Sequence, residues 1–357
     1  MFLALNELIK EKSRFALITA VIILVSYLVF FLLALAYGLA TSYTKAVDTW
    51  DADSIVLNQN ANGTIGRSII TQKNTSLLNA DGSATDTAAP LGVGTATIEK
   101  DGSEDIALFG IDPTSFLAPT PIEGRSIQNE HEIIVSNELS SIGIKLNDTI
   151  TLQGDDTSYI VVGITDNASF QAAPVLYMSL KDWRTAASAT SGMIGMRDDT
   201  SINAIVLKEG RAVDAPLEAQ SIKDFIYTLP GYQAQVLTFS LMIGFLIGIA
   251  AFVLAIFIYI LTLQKKEIFG VLKAEGVPNH YIASSVIIQV AILSIGGLII
   301  GMGLALLTGT LLAGKVPFAV NPVFFAGISF LFLACAALGA LASVRSVTKI
   351  DPVEAIG

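Results

Sequence analysis

Four long stretches of this chain contain no aspartate, glutamate, lysine, arginine or histidine: 15–44, 225–264, 281–314 and 316–344. Each exceeds the roughly 20 residues that cross a bilayer as a helix, and a charge at mid-helix would cost about 2.5–3.5 kcal/mol on insertion scales. The pattern predicts transmembrane helices at 15–44, 233–263, 281–313 and 323–344. The first apolar core is too long for the roughly 7–15-residue h-region of a secretory signal and is read as an anchor. Before it, residues 1–14 place Phe2, Leu5, Leu8 and Ile9 on one helical face, as an amphipathic helix lying in the membrane interface would.

Between the first two spans the period changes. Short β-like runs, including SIVLN (54–58), TATIE (95–99), DIALFGI (105–111), EIIVS (132–136), YIVVGIT (159–165) and VLYMS (175–179), read as strands, many of them separated by Asn-Gly and Asp-Gly turns. Helical patterns are fewer, around 137–141, 181–188 and 215–227. The fold class is therefore a membrane protein with four transmembrane α-helices and a large α+β extracytoplasmic domain, residues 45–230, between helices 1 and 2. A segment of this size buries a core of its own. A short outer loop (314–322) joins helices 3 and 4, and residues 345–357 form a tail.

Charge sets the orientation. Lys10, Lys12 and Arg14 precede helix 1, Lys265, Lys266 and Lys273 stand between helices 2 and 3, and Arg345 and Lys349 follow helix 4. Four spans put all three clusters on one side, which the positive-inside rule makes the cytoplasm, with both termini there. Residues 45–224 hold 25 acidic against 12 basic residues, within a net charge of −10 for the whole chain. A mean hydropathy of +0.64 with 15% charged residues fits a multi-pass protein of the cell membrane.

Candidate chemistry is sparse. Gly309, Gly314 and Lys315 imitate a P-loop, but Val316 stands where a Mg²⁺-binding Ser or Thr is needed, and no strand precedes the glycines. The two histidines, His131 and His280, fall on opposite sides of the membrane by this topology, and His131 reads as a solvated strand edge. No catalytic triad or zinc spacing can be built, and no metal site, enzyme activity or nucleic-acid binding is expected. Without acids or bases inside the spans, a proton-coupled carrier is disfavoured, and any driving force must come from outside the chain. Gly244/Gly248 and Gly297/Gly301 are small-xxx-small pairs that fit packing within one chain or between two. The lone Cys335 reads as a small packing residue.

The run IYILTLQKKEIFGVLKAEGVPNHYI (258–282) resembles the helix 2 to helix 3 junction of the FtsX/MacB-type permeases of ABC transporters. VRSVTKIDPVEAIG (344–357) is similar to that family's closing segment, and EIIVSNELSSIGIKLNDTITLQ with YIVVGI resembles its β-rich outer subdomain. The resemblance implies a homodimer seated in membrane lipid on a separate ATPase subunit, which would hold ATP and Mg²⁺. The coupling segment, 264–280, would then present Lys265, Lys266, Glu267, Phe269, Leu272, Lys273 and Glu275. Phe269 and Leu272 would fill a groove on the ATPase, and Gly276 and Pro278 would turn the chain back. The region 228–277 looks most like the haem-exporting (HrtB/DevC-like) branch, which implies haem or a similar amphipathic compound as cargo. Tyr43, Tyr227, Tyr232 and Met242 are the candidate haem contacts, since Tyr and Met can ligate haem iron. Lys45 or Lys223 would meet the propionates. Two other readings stay open: a signal relay to an outer partner without transport, and extrusion of lipoproteins or antimicrobial compounds.

Overall fold

A computed structural model describes residues 12–71, 76–99, 103–190, 200–264, 266–312 and 316–348. The amphipathic N-terminal segment, Lys265, Gly314-Lys315 and most of the closing segment lie outside the described residues. The chain divides into two compact units, 1–38 with 237–357, and 39–236.

The first unit contains the long apolar helices. α1 (Lys12–Ser42), α5 (Tyr232–Gln264), α7 (Asn279–Leu311) and α8 (Pro322–Thr348) are each long and apolar enough to cross a membrane. Their bounds shift by a few residues from the sequence reading. α1 and α7 meet through the second glycine pair. A Cβ on Gly297 would overlap Ile22, and one on Gly301 would overlap the Ser26 hydroxyl and lie 2.9 Å from the Ile23 carbonyl. That proximity lets Ser26 Oγ donate to the Gly297 carbonyl (3.1 Å) as well as to its own Ile22 carbonyl (2.8 Å). Phe30 stacks on Phe325 of α8 at 5.0 Å. Gly244 and Gly248 of α5, by contrast, have open space where a Cβ would stand. The two glycine pairs, alike in sequence, differ in use: the α7 pair serves packing within one chain. Gly301→Leu is expected to part α1 from α7 at a cost of about 1–3 kcal/mol, seen as a lowered melting temperature in detergent, whereas Gly248→Leu should leave it unchanged.

The second unit is built on one sheet. From edge to edge its order is β11 (Leu217–Ser221), β1 (Ser54–Asn58), β10 (Ala204–Leu207), β2 (Ala88–Glu99), β3 (Ser103–Ile111), β9 (Ala173–Ser179), β5 (Glu132–Ser136), β7 (Asp155–Thr165) and β4 (Glu123–Gly124). β6 (Thr149–Leu152) pairs with both β7 and β2, Leu152 standing opposite Ile98. β2, β3, β9, β5, β7 and β6 thereby close into a ring. β8 (Ser169–Phe170) forms a hairpin with β9. Along the central strands both faces are buried, so there the period-2 alternation sorts side chains between cores rather than between core and water. Ala107, Phe109 and Ile111 of β3 join one core with Ile55, Leu91 and Tyr177, while Ile106 and Leu108 join Ile133, Val161 and Met178 in the other.

α3 (Leu180–Thr190) covers that second core. Its Trp183, fully buried, lies over Gly92 and Gly110, where any Cβ would overlap the indole. The helix starts on a serine N-cap: the Asp182 amide donates to Ser179 Oγ (3.1 Å), whose hydroxyl donates to Asp182 Oδ2 (2.8 Å). His131, left-handed at φ 61°, donates its backbone N–H to the same Oδ2 (3.0 Å), and its Nδ1 lies 3.2 Å from Oδ1. His131 is therefore an exposed residue at the N-terminal end of β5, its carbonyl accepting from the Ile160 N–H (2.9 Å), that also clamps α3. The expected helix at 215–227 is half strand: LEAQS pairs along β1 as β11, and Ser221 then caps α4 (Ile222–Thr228) by accepting from the Asp224 amide. An available sheet edge outweighs the modest helix preference of Leu, Glu, Ala and Gln.

Beside β5, Arg125 donates two hydrogen bonds to Glu132 (2.6 and 2.7 Å), and the amides of Gln128 and Asn129 add two more. Chiefly through Arg125, the Glu132 carboxyl is held well below the usual carboxylate range. A depressed acid stabilises the fold above its unfolded pKa, and that contribution is lost as pH falls toward the folded value. Glu132→Gln is expected to lower stability by about 2 kcal/mol at neutral pH and to flatten the acid limb of the stability curve. Thermal melts between about pH 3 and pH 7, the range over which carboxylates titrate, check both.

Candidate functional site

Two places collect the residues singled out from the sequence. The first is the turn between α5 and α7. Here α6 (Lys266–Ala274) is a short helix closed by Gly276 in the left-handed region (φ 86°), whose N–H donates to the Lys273 carbonyl (3.0 Å). Glycine adopts this backbone without steric cost and so stops a helix. Pro278, extended, then leads into α7. Of Lys266, Glu267, Phe269 and Leu272 the structure describes the backbone alone. Glu275 is exposed and Lys273 half-buried. Ile268 and Val271, which sequence reasoning passed over, are 45% and 47% exposed. Three apart on a helix, they share a face. The sequence carries two such apolar pairs side by side in IFGVL, and the exposed one described is Ile268 with Val271.

The second place lies where the α+β unit receives the ends of α1 and α5. Tyr43 and Tyr232 stand 6.0 Å apart by ring centroid, and Tyr227 meets Tyr232 edge-to-face at 5.9 Å. Gly231, left-handed at φ 82°, lets the chain turn from α4 into α5. The structure thus brings three of the four candidate haem contacts into one aromatic cluster, with Tyr227 the most open at 45% exposure. Met242, ten residues along α5, belongs to the other unit and is half-buried. Lys45, one of two proposed propionate partners, is 3.1 Å from Glu138 and so already paired; Lys223 is exposed. Among the described residues no group of three or more His, Cys, Asp or Glu is arranged to hold a metal.

Residues 240–352, which contain α6, α7, α8 and most of α5, match the FtsX-like permease C-terminal family. Over its whole length the chain is similar to ABC-type membrane proteins. A Staphylococcus haemolyticus protein provisionally named hemin transport system permease protein HrtB is 25% identical, covering 100% of this chain and 99% of that protein. An uncharacterized ABC transporter permease of Mycobacterium tuberculosis is 23% identical with the same coverage. Residues 240–352 thus carry the FtsX-like permease C-terminal pattern, and the chain resembles ABC transporter permeases throughout. Among solved structures, the extracellular domain of the noncanonic ABC-type transporter YknZ from Gram-positive bacteria aligns with 45% of this chain and 84% of its own chain, at 14% identity and a TM-score of 0.31. The match to the C-terminal family places the α5–α6–α7 turn inside the permease signature and leaves the tyrosine cluster outside it.

Proposed function

We propose that this chain is the membrane half of an ATP-driven exporter that removes haem, or a similar flat amphipathic compound, from the membrane. The observation that carries the reading is α6, a short helix between two spans that offers Ile268 and Val271 to solvent beside Lys273 and Glu275. An exposed apolar pair rimmed by charge is what a partner's groove accepts. The basic residues of this segment put it in the cytoplasm, with both termini, where it meets a separate ATPase subunit carrying ATP and Mg²⁺. Closure of the ATPase pair would move α6 and, through it, α5 and α7.

A second copy of the chain completes the exporter. α5 buries 6% of its apolar span, against 28–39% for the other three helices, and exposes Leu241, Phe245, Ile249 and Phe252 beside the open Gly244 and Gly248. Small residues next to large apolar ones allow close helix approach in lipid. Cargo would enter between the two copies, and the haem assignment draws on the relatives named for hemin transport and on the clustering of Tyr43, Tyr227 and Tyr232. Reconstituted with its ATPase in liposomes, the protein is expected to show haem-stimulated ATP hydrolysis that falls about five- to thirtyfold in Tyr232→Ala, since an axial or stacking contact is worth on the order of 1–2 kcal/mol. Absence of stimulation with ATPase binding intact would replace export by a relay to an outer partner. The pairing of Lys45 with Glu138, which removes one anion contact, is the observation that favours that second reading.

A further inference from the structure

α1 ends without the residues helices ordinarily use there. Thr41, Ser42, Tyr43 and Thr44 include neither glycine nor asparagine. The local bonds that tighten the last turn, Tyr43 N–H to Ala40 (3.3 Å) and Thr44 N–H to Thr41 (3.0 Å), serve carbonyls further back. A helix end leaves its final carbonyls without intrahelical donors, and they carry the negative end of the dipole. Here the donors come from a distant part of the chain. The Ala172 N–H reaches the Ser42 carbonyl (3.2 Å), and the Gln171 N–H reaches that of Tyr43 (3.1 Å).

Gln171 and Ala172 are the two central residues of the β8–β9 hairpin, flanked by the pair Phe170 and Ala173. Both are left-handed, φ 51° and 65°. This is the type I′ arrangement, for which Asn-Gly is the usual choice and in which Gln and Ala are strained. In a two-residue hairpin turn neither central N–H is used by the ladder, so both are free to donate outward. Two helix carbonyls accept from them. Behind the turn, β9 runs between β3 and β5, pairing with both.

We propose that the Gln171–Ala172 turn is a clasp, a positioning element that fixes the exit of α1 to strand β9 and relays displacement of that helix end into the sheet. The clasp stands independently of the ATPase and of the cargo. Hydrogen exchange read by mass spectrometry on the full-length protein in lipid nanodiscs tests it. The Gln171 and Ala172 amides are expected to exchange at least about tenfold slower than an unstructured peptide; exchange at the unstructured rate would overturn the clasp without any variant. Two glycines inserted between Gln171 and Ala172 should speed exchange over 169–173 and fray 41–46. The relay is read from a pair of changes. Thr44→Gly, which loosens the end of α1, should raise exchange across 173–179 in the natural chain and fail to do so once the insertion is present. Equal effects of Thr44→Gly in both backgrounds would leave a cap with no relay and overturn the proposal.

Discussion

Ile268→Asp combined with Val271→Asp is expected to abolish co-purification of the ATPase subunit with this permease. Both side chains are nearly half-exposed on one face of α6, in a chain where exposed apolar residues otherwise belong mainly to the membrane spans. Anchors buried at the centre of an interface cost about 2 kcal/mol or more each on truncation. Aspartate adds to that the penalty of burying an unpaired carboxylate. The pair should therefore weaken association by more than about a hundredfold, as hot-spot losses of that size imply. Membrane insertion should survive, because α6 lies outside the spans and Gly276 still ends it. Pull-down from detergent extract, with membrane fractionation as the control, measures both. Undiminished ATPase in the pull-down would remove the Ile268–Val271 face of α6 from the interface. The same substitution at Phe269 or Leu272 then shows whether the neighbouring apolar pair, expected from the sequence, takes part.

Much of the architecture was legible in the sequence because lipid allows few exceptions. A run without charge long enough to cross a bilayer has almost no other stable setting, so the spans could be read to within a few residues. Short β-branched apolar runs, such as SIVLN and EIIVS, were equally open to reading and form β1 and β5. What escaped depends on partners far along the chain. The stretch Ala88–Gly94 looks like a loop, being rich in Gly with a Pro, yet it is the first half of β2, because Trp183 occupies the space its glycines leave. β11 looks helical until β1 offers it an edge. The candidate site divides the same way. The place of α6 between two spans follows from charge, but its uncovered face does not. Tyr43, Tyr227 and Tyr232 could be grouped as residues flanking spans, whereas their mutual contact requires Gly231 to turn the chain back. The cap on α1 left no local sign at all, since both its donors are backbone N–H groups.

Trp183→Ala should have the largest effect on the α+β unit, lowering its stability by about 3–5 kcal/mol, the usual range for an aromatic removed from a core. Such a loss is a large part of the roughly 5–15 kcal/mol that holds a domain folded. Three features push the cost toward the upper end. The indole is fully buried. Its groove is floored by Gly92 and Gly110, which have no side chains to relax into the cavity. The serine N-cap and His131 hold the start of α3 in place, so the helix is restrained from sinking to fill the space. The chain has two tryptophans, and the survivor, Trp50, sits buried 6.1 Å from Phe109 in the neighbouring core. Its fluorescence therefore reports unfolding of the variant without a second label. Gly110→Val supplies the complementary test. Alone it should destabilise by crowding the indole, by about 1–3 kcal/mol. In the Trp183→Ala background it should instead recover part of the loss, because the added methyls enter the vacated groove. Contact between the two positions predicts this sign reversal. Two strictly additive losses would mean that the indole and the glycine groove do not share one space.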